Sequence, residues 1–354
     1  MVDQVVDCNA EISFLGTSLK SKVFVVAEIG VNHEGSVDVA ADIIKQLVGT
    51  GVDAVKLQSY SPQKFVSSEQ IERLDRIKRF QLSFEEHVYL RDLAKDLGLK
   101  FISTPVTEDW VSPLSEICDG LKIASGDIDF SSTIQACART GLPTILSTGA
   151  STVSEVDTAV EFFTANSAAD SMRGNLALLH CVSEYPADPS VCNLNSIGFL
   201  KARYGIEVGW SNHALGSYVS ELAVMAGASI IELHVTDNKS NRAFRDHHLS
   251  FEPEELAPLV SRLNYVKKIA GTKSKTRTAV EESTFMSIRK GLVYNRSMQA
   301  GTVLKASDIS FARPATYYAS SKKHSLVGCI LSKDVTAFHS IRPSELQVKK
   351  KVKN

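Results

Sequence analysis

The 354-residue chain reads as α/β, a (β/α)8 TIM barrel followed by a small β-rich domain. Three observations predict this. Eight short apolar runs each end in polar residues, segments with helical spacing separate most of them, and the alternation fades near residue 270, where Lys, Thr and Glu take over. An open doubly wound sheet is the alternative. It is disfavoured because no Gly-x-Gly-x-x-Gly turn follows the first run and polar residues close nearly every strand rather than only a pair.

Residues before Lys22 carry little pattern. The first run, 23–27, is continuously apolar, as expected of a strand buried on both faces. Glu28, Asn32 and His33 follow around Gly30 and Gly35, and Val, Ala, Ile and Leu then recur at helical spacing over 37–48. The second run, 53–58, precedes a longer excursion over 62–79 and a helix near 84–97. Further strands are expected at 100–105, 120–127, 143–149 and 176–181. Gly209-Trp210-Ser211-Asn212-His213 and Ile230-Ile231-Glu232-Leu233-His234 complete the eight. The barrel domain is placed at 1–275, a linker at 276–284 and the small domain at 285–354, with short apolar runs at 291–294, 302–304 and 326–328. So small a domain is marginal alone and is expected to pack on something.

Lys and Arg number 39 against 40 Asp and Glu, so no net basic field favours nucleic acid or an acidic membrane surface. The Lys349-Lys350-Lys351 run reads as a solvated tail. No basic start followed by an apolar stretch suggests export, and no stretch approaches the roughly 20 apolar residues of a membrane span. Cys8, Cys118, Cys137, Cys181, Cys192 and Cys329 lack paired metal spacing and read as reduced thiols, which points to the cytoplasm.

If the strand ends converge, they gather Glu28, Lys56, Gln58, Lys122, Ser125, Asp127, Ser147, Ser183, Ser211, His213, Glu232 and His234. Lys56 and Lys122 with the hydroxyls of Ser125, Ser147 and Ser211 suit an oxyanion such as phosphate. Lys122 lies between Leu121 and Ile123, where an unpaired ammonium is costly to bury. A strand-end lysine forming a Schiff base, as in an aldolase, is the rival reading. His213 and His234 suit a borderline divalent metal such as manganese, cobalt or zinc; the same pair also fits packed or surface histidines.

Several motifs carry a resemblance. Ala27-Glu28-Ile29-Gly30-Val31-Asn32-His33-Glu34-Gly35, Val55-Lys56-Leu57-Gln58, Lys122-Ile123-Ala124-Ser125-Gly126-Asp127, Ser147-Thr148-Gly149, His180-Cys181-Val182-Ser183-Glu184-Tyr185-Pro186 and Gly209-Trp210-Ser211-Asn212-His213 resemble the sialic acid (N-acetylneuraminate) synthase family. The match continues through Glu232-Leu233-His234 and Asp246-His247, covering nearly the whole chain. It implies a barrel followed by an antifreeze-protein-like (SAF) domain, and condensation of phosphoenolpyruvate with an N-acyl hexosamine, typically N-acetylmannosamine, to give a nine-carbon 2-keto acid and phosphate. It further implies a divalent metal, most commonly Mn2+ with Mg2+ or Co2+ as alternatives, held by His213 and His234. Lys56, Lys122, Ser125, Ser147, Ser183 and Ser211 would grip phosphoenolpyruvate; Gln58, Tyr185 and Asp246 would contact the sugar. Glu28, Asp127 and Glu232 are the implied candidates for proton transfer. The resemblance also implies a domain-swapped homodimer in which Arg313, before Pro314, reaches the N-acyl group.

The chain departs from the family pattern at five places. Asn212 stands where Asp is usual, Asp127 where a longer Glu occurs, Ser183 where Asn is found and Leu233 where a basic residue is usual, and the stretch 315–318 lacks a common glycine. These leave the reaction class and open the choice of sugar: legionaminic and pseudaminic acid synthases, a spore-coat polysaccharide synthase and 9-phosphate synthases acting on the sugar 6-phosphate share the motifs.

Overall fold

The computed structural model describes residues 13–167, 175–240, 242, 244–272 and 274–347. The Cys8 thiol and the Lys349-Lys350-Lys351 tail lie outside the described residues. The chain divides into two compact units, Met1–Gly271 and Thr272–Asn354.

The first unit is a closed barrel of eight parallel strands: β1 Phe24–Gly30, β2 Ala54–Ser59, β3 Lys100–Pro105, β4 Gly120–Ile123, β5 Thr144–Ser147, β6 Leu176–Cys181, β7 Glu207–Asn212 and β8 Ile230–His234. β8 closes on β1 with Glu232 opposite Val26 and His234 opposite Glu28. Alternate residues of a strand point to opposite faces, and this alternation sorts the chemistry. In β1 and at the residue before it, Val23, Val25, Ala27 and Ile29 join the large core shared with the outer helices, while Phe24 and Val26 join the barrel interior. Ala54, Ile102, Ile145, Ala177, Leu179 and Ile230 complete that interior layer. The next inward position on several of these strands is polar, Glu28, Lys56, Ser147 and Glu232 among them. An apolar floor thus lies beneath a polar ring.

The segment before Lys22 is not patternless. Its two-stranded hairpin, Ser13–Phe14 with Thr17–Ser18, carries Phe14 and Leu19 into the interior cluster, with Phe14 set edge-on to Phe24 at 5.3 Å between ring centroids. Burying one such side chain contributes about 1.5–3 kcal/mol, which compensates for the missing periodicity. β7 carries Gly209 for a steric reason: a Cβ there would stand 2.2 Å from the Ile230 carbonyl oxygen and 2.6 Å from Leu179 Cδ2.

The outer helices start where local chemistry says they should. Helix Val37–Gln46 is capped by Ser36 and buries Ala40, Ala41, Ile43 and Ile44. Capping boxes open Phe84–Asp96 through Ser83 and Glu86, and Val153–Asn166 through Thr152 and Glu155. Each such cap is worth about 1 kcal/mol. Within the excursion after β2 the chain forms two helices, Pro62–Phe65 and Ile71–Phe80. No helix of the described residues is long and apolar enough to cross a membrane, and the five described cysteines are free and buried.

In the second unit the expected linker residues 276–284 run into a helix, Ala279–Ile288, capped by Thr278 and Glu281. Two antiparallel pairs follow, β9 Gly291–Tyr294 with β10 Ile309–Ala312, and β11 Ile330–Leu331 with β12 Leu346–Gln347. The run 302–304 is held by a bridge from Val303 to Ile330, whereas Lys323–Leu326 is a helical turn. Leu292, Tyr294, Met298, Leu304, Ile309 and Ile341 form a core internal to this unit.

Candidate active site

A cavity of about 1150 Å³ opens at the carboxyl ends of the barrel strands. Of the residues singled out from the sequence, Glu28, Lys56, Gln58, Lys122, Ser125, Ser147, Ser183, Tyr185, Ser211, His213, Glu232, His234 and Asp246 line it. The strand register brings them there from seven of the eight strands or the loops that follow.

At its floor two lysines and two carboxylates interlock. Lys56 Nζ stands 2.7 Å from Glu28 Oε2 and 3.6 Å from Glu232 Oε2, and donates to Thr104 Oγ1 at 3.2 Å. Lys122 Nζ lies 3.5 Å from Glu232 Oε1, which also accepts from Ser211 Oγ at 2.8 Å. All four charged side chains are buried. Burial opposes charge on Lys56, yet Glu232 and Glu28 outweigh it and raise its pKa. Lys122 is shifted the other way: burial dominates, Glu232 offsets it in part and the Lys56 charge adds to the lowering. Glu232 is opposed by burial, but Lys122, Lys56 and the Ser211 hydroxyl together hold its carboxyl down to about 2. Burial thus works against the charge on Lys122 more than on Lys56, and an anion arriving beside it would favour the ammonium form.

Beside them lies a cradle of small donors. Gly149 N donates to Ser125 Oγ at 3.0 Å, and Ser125 Oγ contacts Cys181 Sγ at 3.1 Å. A Cβ on Gly149 would fill this space, standing 2.4 Å from Ser183 Oγ, 2.7 Å from Cys181 Sγ and 2.8 Å from Ser125 Oγ. Ser147 Oγ is buried and has no hydrogen-bond partner within the protein. An orphaned hydroxyl costs stability unless something else accepts from it, so the cradle suits an oxyanion.

His213 and His234 face each other with ring centroids 5.5 Å apart, and Tyr185 stacks on His213 at 4.1 Å. His213 Nδ1 donates to the Val182 carbonyl at 2.6 Å, which leaves Nε2 as the lone-pair nitrogen. Burial, reinforced by His234, lowers the His213 pKa to about 3, so the ring is neutral at pH 7. A neutral imidazole oriented through its second nitrogen is the form that binds a metal. Among the described residues no three of His, Cys, Asp and Glu converge as a metal cage. The two rings offer imidazole nitrogens, donors of the kind a borderline divalent metal takes.

Asp127 does not line the cavity. The three-residue turn Ser125–Asp127 presents Ser125 and Gly126 instead, and burial raises the Asp127 carboxyl to about 6 against the pull of Lys122. Arg313 belongs to the second unit, where it is exposed and joined to Pro314 by a cis bond. Asn212 faces away from the cavity. Its Oδ1 accepts from Trp210 Nε1 at 3.1 Å and its Nδ2 donates to the Ala214 carbonyl at 2.9 Å, a donation that a carboxylate at this position could not make.

The cavity also holds residues that motif reading passed over: Glu34, Arg73, Arg76, Arg79 and Arg245. Glu34 sits inside the first quoted motif. The three arginines of the excursion repeat every third residue on a helical segment, a signal that does not say which way the helix faces.

The NeuB family pattern matches residues 43–275. The chain is 33% identical over 331 residues to N,N'-diacetyllegionaminic acid synthase of Legionella pneumophila, covering 89% of this chain and 92% of that one. It is 30% identical to N-acetylneuraminate-9-phosphate synthase of Drosophila melanogaster, over 82% and 87% of the two chains. Among solved structures, the N-acetylneuraminic acid (sialic acid) synthetase of Leptospira borgpetersenii aligns with a TM-score of 0.71 and 33% identity, over 75% of this chain and 91% of that one. With this fold, these strand-end residues and matches of this extent, the chain belongs to the NeuB family.

Proposed function

We propose that the protein condenses phosphoenolpyruvate with the open-chain form of an N-acyl hexosamine of the N-acetylmannosamine type, yielding N-acetylneuraminate or a related nonulosonic acid and inorganic phosphate. The observation that carries this reading is the cradle. Two buried lysines, the orphaned Ser147 hydroxyl and the Gly149 hollow meet in one cavity with the facing imidazoles of His213 and His234. The names of the relatives agree with it: legionaminic acid synthase, N-acetylneuraminate-9-phosphate synthase and, at 26% identity, pseudaminic acid synthase of Campylobacter jejuni.

In this reading Lys56, Lys122, Ser125, Ser147, Ser183 and Ser211 hold phosphoenolpyruvate. Its charge strengthens the ammonium form of Lys122, because an adjacent anion favours it. The enol carbon bonds to the aldehyde carbon, whose oxygen takes up a proton. Water adds to the carbon that bears the enol phosphate and gives up a proton, and the bond from that carbon to the phosphate oxygen then breaks, releasing phosphate as the added hydroxyl becomes the keto group. Glu28 and Glu232 line the cavity and are the groups placed to move protons. Asp127 acts through charge on Lys122, while Gln58, Tyr185 and Asp246 orient the sugar. His213 and His234 would hold a divalent metal, Mn2+ or else Mg2+ or Co2+, which supplies Lewis-acid polarisation of the aldehyde when bound. A Schiff base at Lys122 is less favoured, since it leaves the cradle unused.

The second unit is read as an SAF-type lid. In a domain-swapped homodimer it brings Arg313 to the N-acyl group of the sugar in the partner's barrel and excludes bulk water from the cationic intermediate. A solution mass of one chain would remove this part of the reading.

Phosphate release from phosphoenolpyruvate with Mn2+ present tests the reaction. Release is expected only when a mannosamine-type acceptor is added, and silence with free, phosphorylated and 4-acylamino acceptors alike would refute the synthase. Gly149→Ala tests the cradle: the KM for phosphoenolpyruvate is expected to rise about tenfold or more, since the added methyl displaces the hydroxyls that bind it. An unchanged KM would move the phosphate elsewhere in the cavity.

A further inference from the structure

The Cys181 thiol lines the cavity, yet the condensation asks no chemistry of it. Cys181 is the last residue of β6, buried, and stands opposite Ser211 of β7. Leu179 and Ala177, two and four positions earlier in the strand, belong to the barrel interior, so a period of two carries Cys181 to the next inward level. That level is the polar ring.

Counting protons at the neighbouring Ser125 hydroxyl shows what the thiol can do there. Ser125 Oγ has one proton to give and two lone pairs. Gly149 N donates to it at 3.0 Å and fills one of them. Cys181 Sγ lies 3.1 Å away, so a proton must stand between sulfur and oxygen, since bare lone pairs at that distance would repel. Two arrangements exist. In one the hydroxyl donates to sulfur and is spent on a weak acceptor. In the other the thiol donates to Ser125 Oγ, both lone pairs are filled from within the protein, and the hydroxyl proton is left for a ligand. The second gives the better donor, O–H, to the anion, and a hydrogen bond to an ionised acceptor is roughly twice as strong as a neutral one. It requires sulfur to keep its proton. Burial ensures this, raising the Cys181 pKa against the pull of Ser125 and Lys122.

The surroundings lack an acceptor. Ser147 Oγ is buried on the same cavity wall with no partner within the protein, and Ser183 Oγ, Cys181 Sγ and Ser125 Oγ bound the hollow that a Cβ on Gly149 would fill. Ser125 itself is half-buried on the three-residue turn after β4, where a hydroxyl without such neighbours rotates freely. A donor fixed beforehand binds at a lower entropic cost than one that the ligand must order.

We propose that Cys181 is a positioning residue for phosphoenolpyruvate: its S–H donates to Ser125 Oγ and, together with Gly149 N, leaves the Ser125 hydroxyl proton aimed at an anionic oxygen in the cradle. This rests on the phosphoenolpyruvate site proposed above and adds the group that orients one of its donors. No bond to sulfur forms or breaks, so the thiol acts only through Ser125.

Calorimetric titration of the full chain with phosphoenolpyruvate in the presence of Mn2+ tests this without an acceptor sugar or turnover. C181A is expected to weaken binding about five- to tenfold, the loss of roughly one net hydrogen bond. C181S lacks the sulfur but keeps a donor, and should stay within about threefold of the native Kd. S125A weakens binding by itself, and S125A/C181A should be no weaker than S125A, because the thiol has nothing left to orient. In the infrared, the S–H stretching band that C181A removes should move to lower frequency when phosphoenolpyruvate binds, since a hydroxyl that donates to an anion becomes a better acceptor. A native Kd in C181A, a C181S as weak as C181A, additive losses in the double variant or a stationary S–H band would overturn the proposal and leave the synthase standing. Absence of phosphoenolpyruvate binding by the native chain would remove both.

Discussion

Glu232→Gln is expected to reduce turnover by about a thousandfold and to destabilise the fold. The substitution keeps the shape and removes one charge. In the native site Glu232 accepts from Ser211 at 2.8 Å and faces Lys122 at 3.5 Å and Lys56 at 3.6 Å, all in buried surroundings. Without the carboxylate Lys56 keeps only Glu28, and Lys122 has no carboxylate in ion-pair range. Breaking a buried pair from one side costs roughly 3–5 kcal/mol; the lower end is expected, because Lys122 already has a lowered pKa and can release its proton. That release is what harms catalysis. A neutral Lys122 binds phosphoenolpyruvate poorly and cannot balance the charge of departing phosphate, an electrostatic contribution commonly worth 10²–10³-fold, about the size expected here.

The pH dependence separates charge from shape. The native carboxyl sits at about 2 against an ordinary value of 4.5. A group depressed on folding contributes stability that is fully present above the unfolded value and disappears as pH falls through the folded one. The stability advantage of the native protein over Glu232→Gln should therefore be complete at pH 7 and shrink between about pH 4.5 and 2. Urea unfolding of both proteins across that range measures it, and an advantage constant with pH would show that packing rather than charge is responsible.

His234→Ala carries the second large effect: turnover should fall by at least about 10²–10³-fold, a loss of several kcal/mol of Lewis-acid assistance, with the fold retained. The imidazole is at the mouth end of β8, opposite His213 at 5.5 Å between ring centroids, and its removal enlarges the cavity without opening the apolar interior below. His213→Ala is a less clean test, because that ring also stacks on Tyr185 and anchors the Val182 carbonyl. Mn2+ binding followed by electron paramagnetic resonance or calorimetry should weaken in step with turnover, while the thermal midpoint stays near the native one. Unaltered Mn2+ affinity would take His234 out of the metal site.

Much of the site was legible because it is written in short-range periodicity. Once 23–27 and 230–234 read as strands closed by polar residues, a parallel barrel was expected to gather Glu28, Lys56, Glu232 and His234 at one end. The lysine inside the fourth strand was conspicuous for a similar reason, since an ammonium among Leu121 and Ile123 demands a partner. That the partner is Glu232, 110 residues away, came only with closure of the barrel.

Other features depend on contacts that have no local trace. The stretch 13–19 has no usable period, yet Phe14 and Leu19 plug the barrel because the ring of strands leaves an apolar hole of their size. Asp127 reads as one more strand-end carboxylate, but a three-residue turn keeps it out of the cavity lining. Asn212, a departure from the family motif, is spent on Trp210 and Ala214. By itself, then, the sequence determined the succession of strands, the polar residues at their ends and the family, all of which follow from neighbours along the chain. Tertiary packing decided which charges are paired, that Gly149 leaves a hollow between Ser125, Cys181 and Ser183, and that three exposed arginines border the cavity. These are relations between segments far apart in the chain, and only burial, steric fit and the closing of the barrel select them.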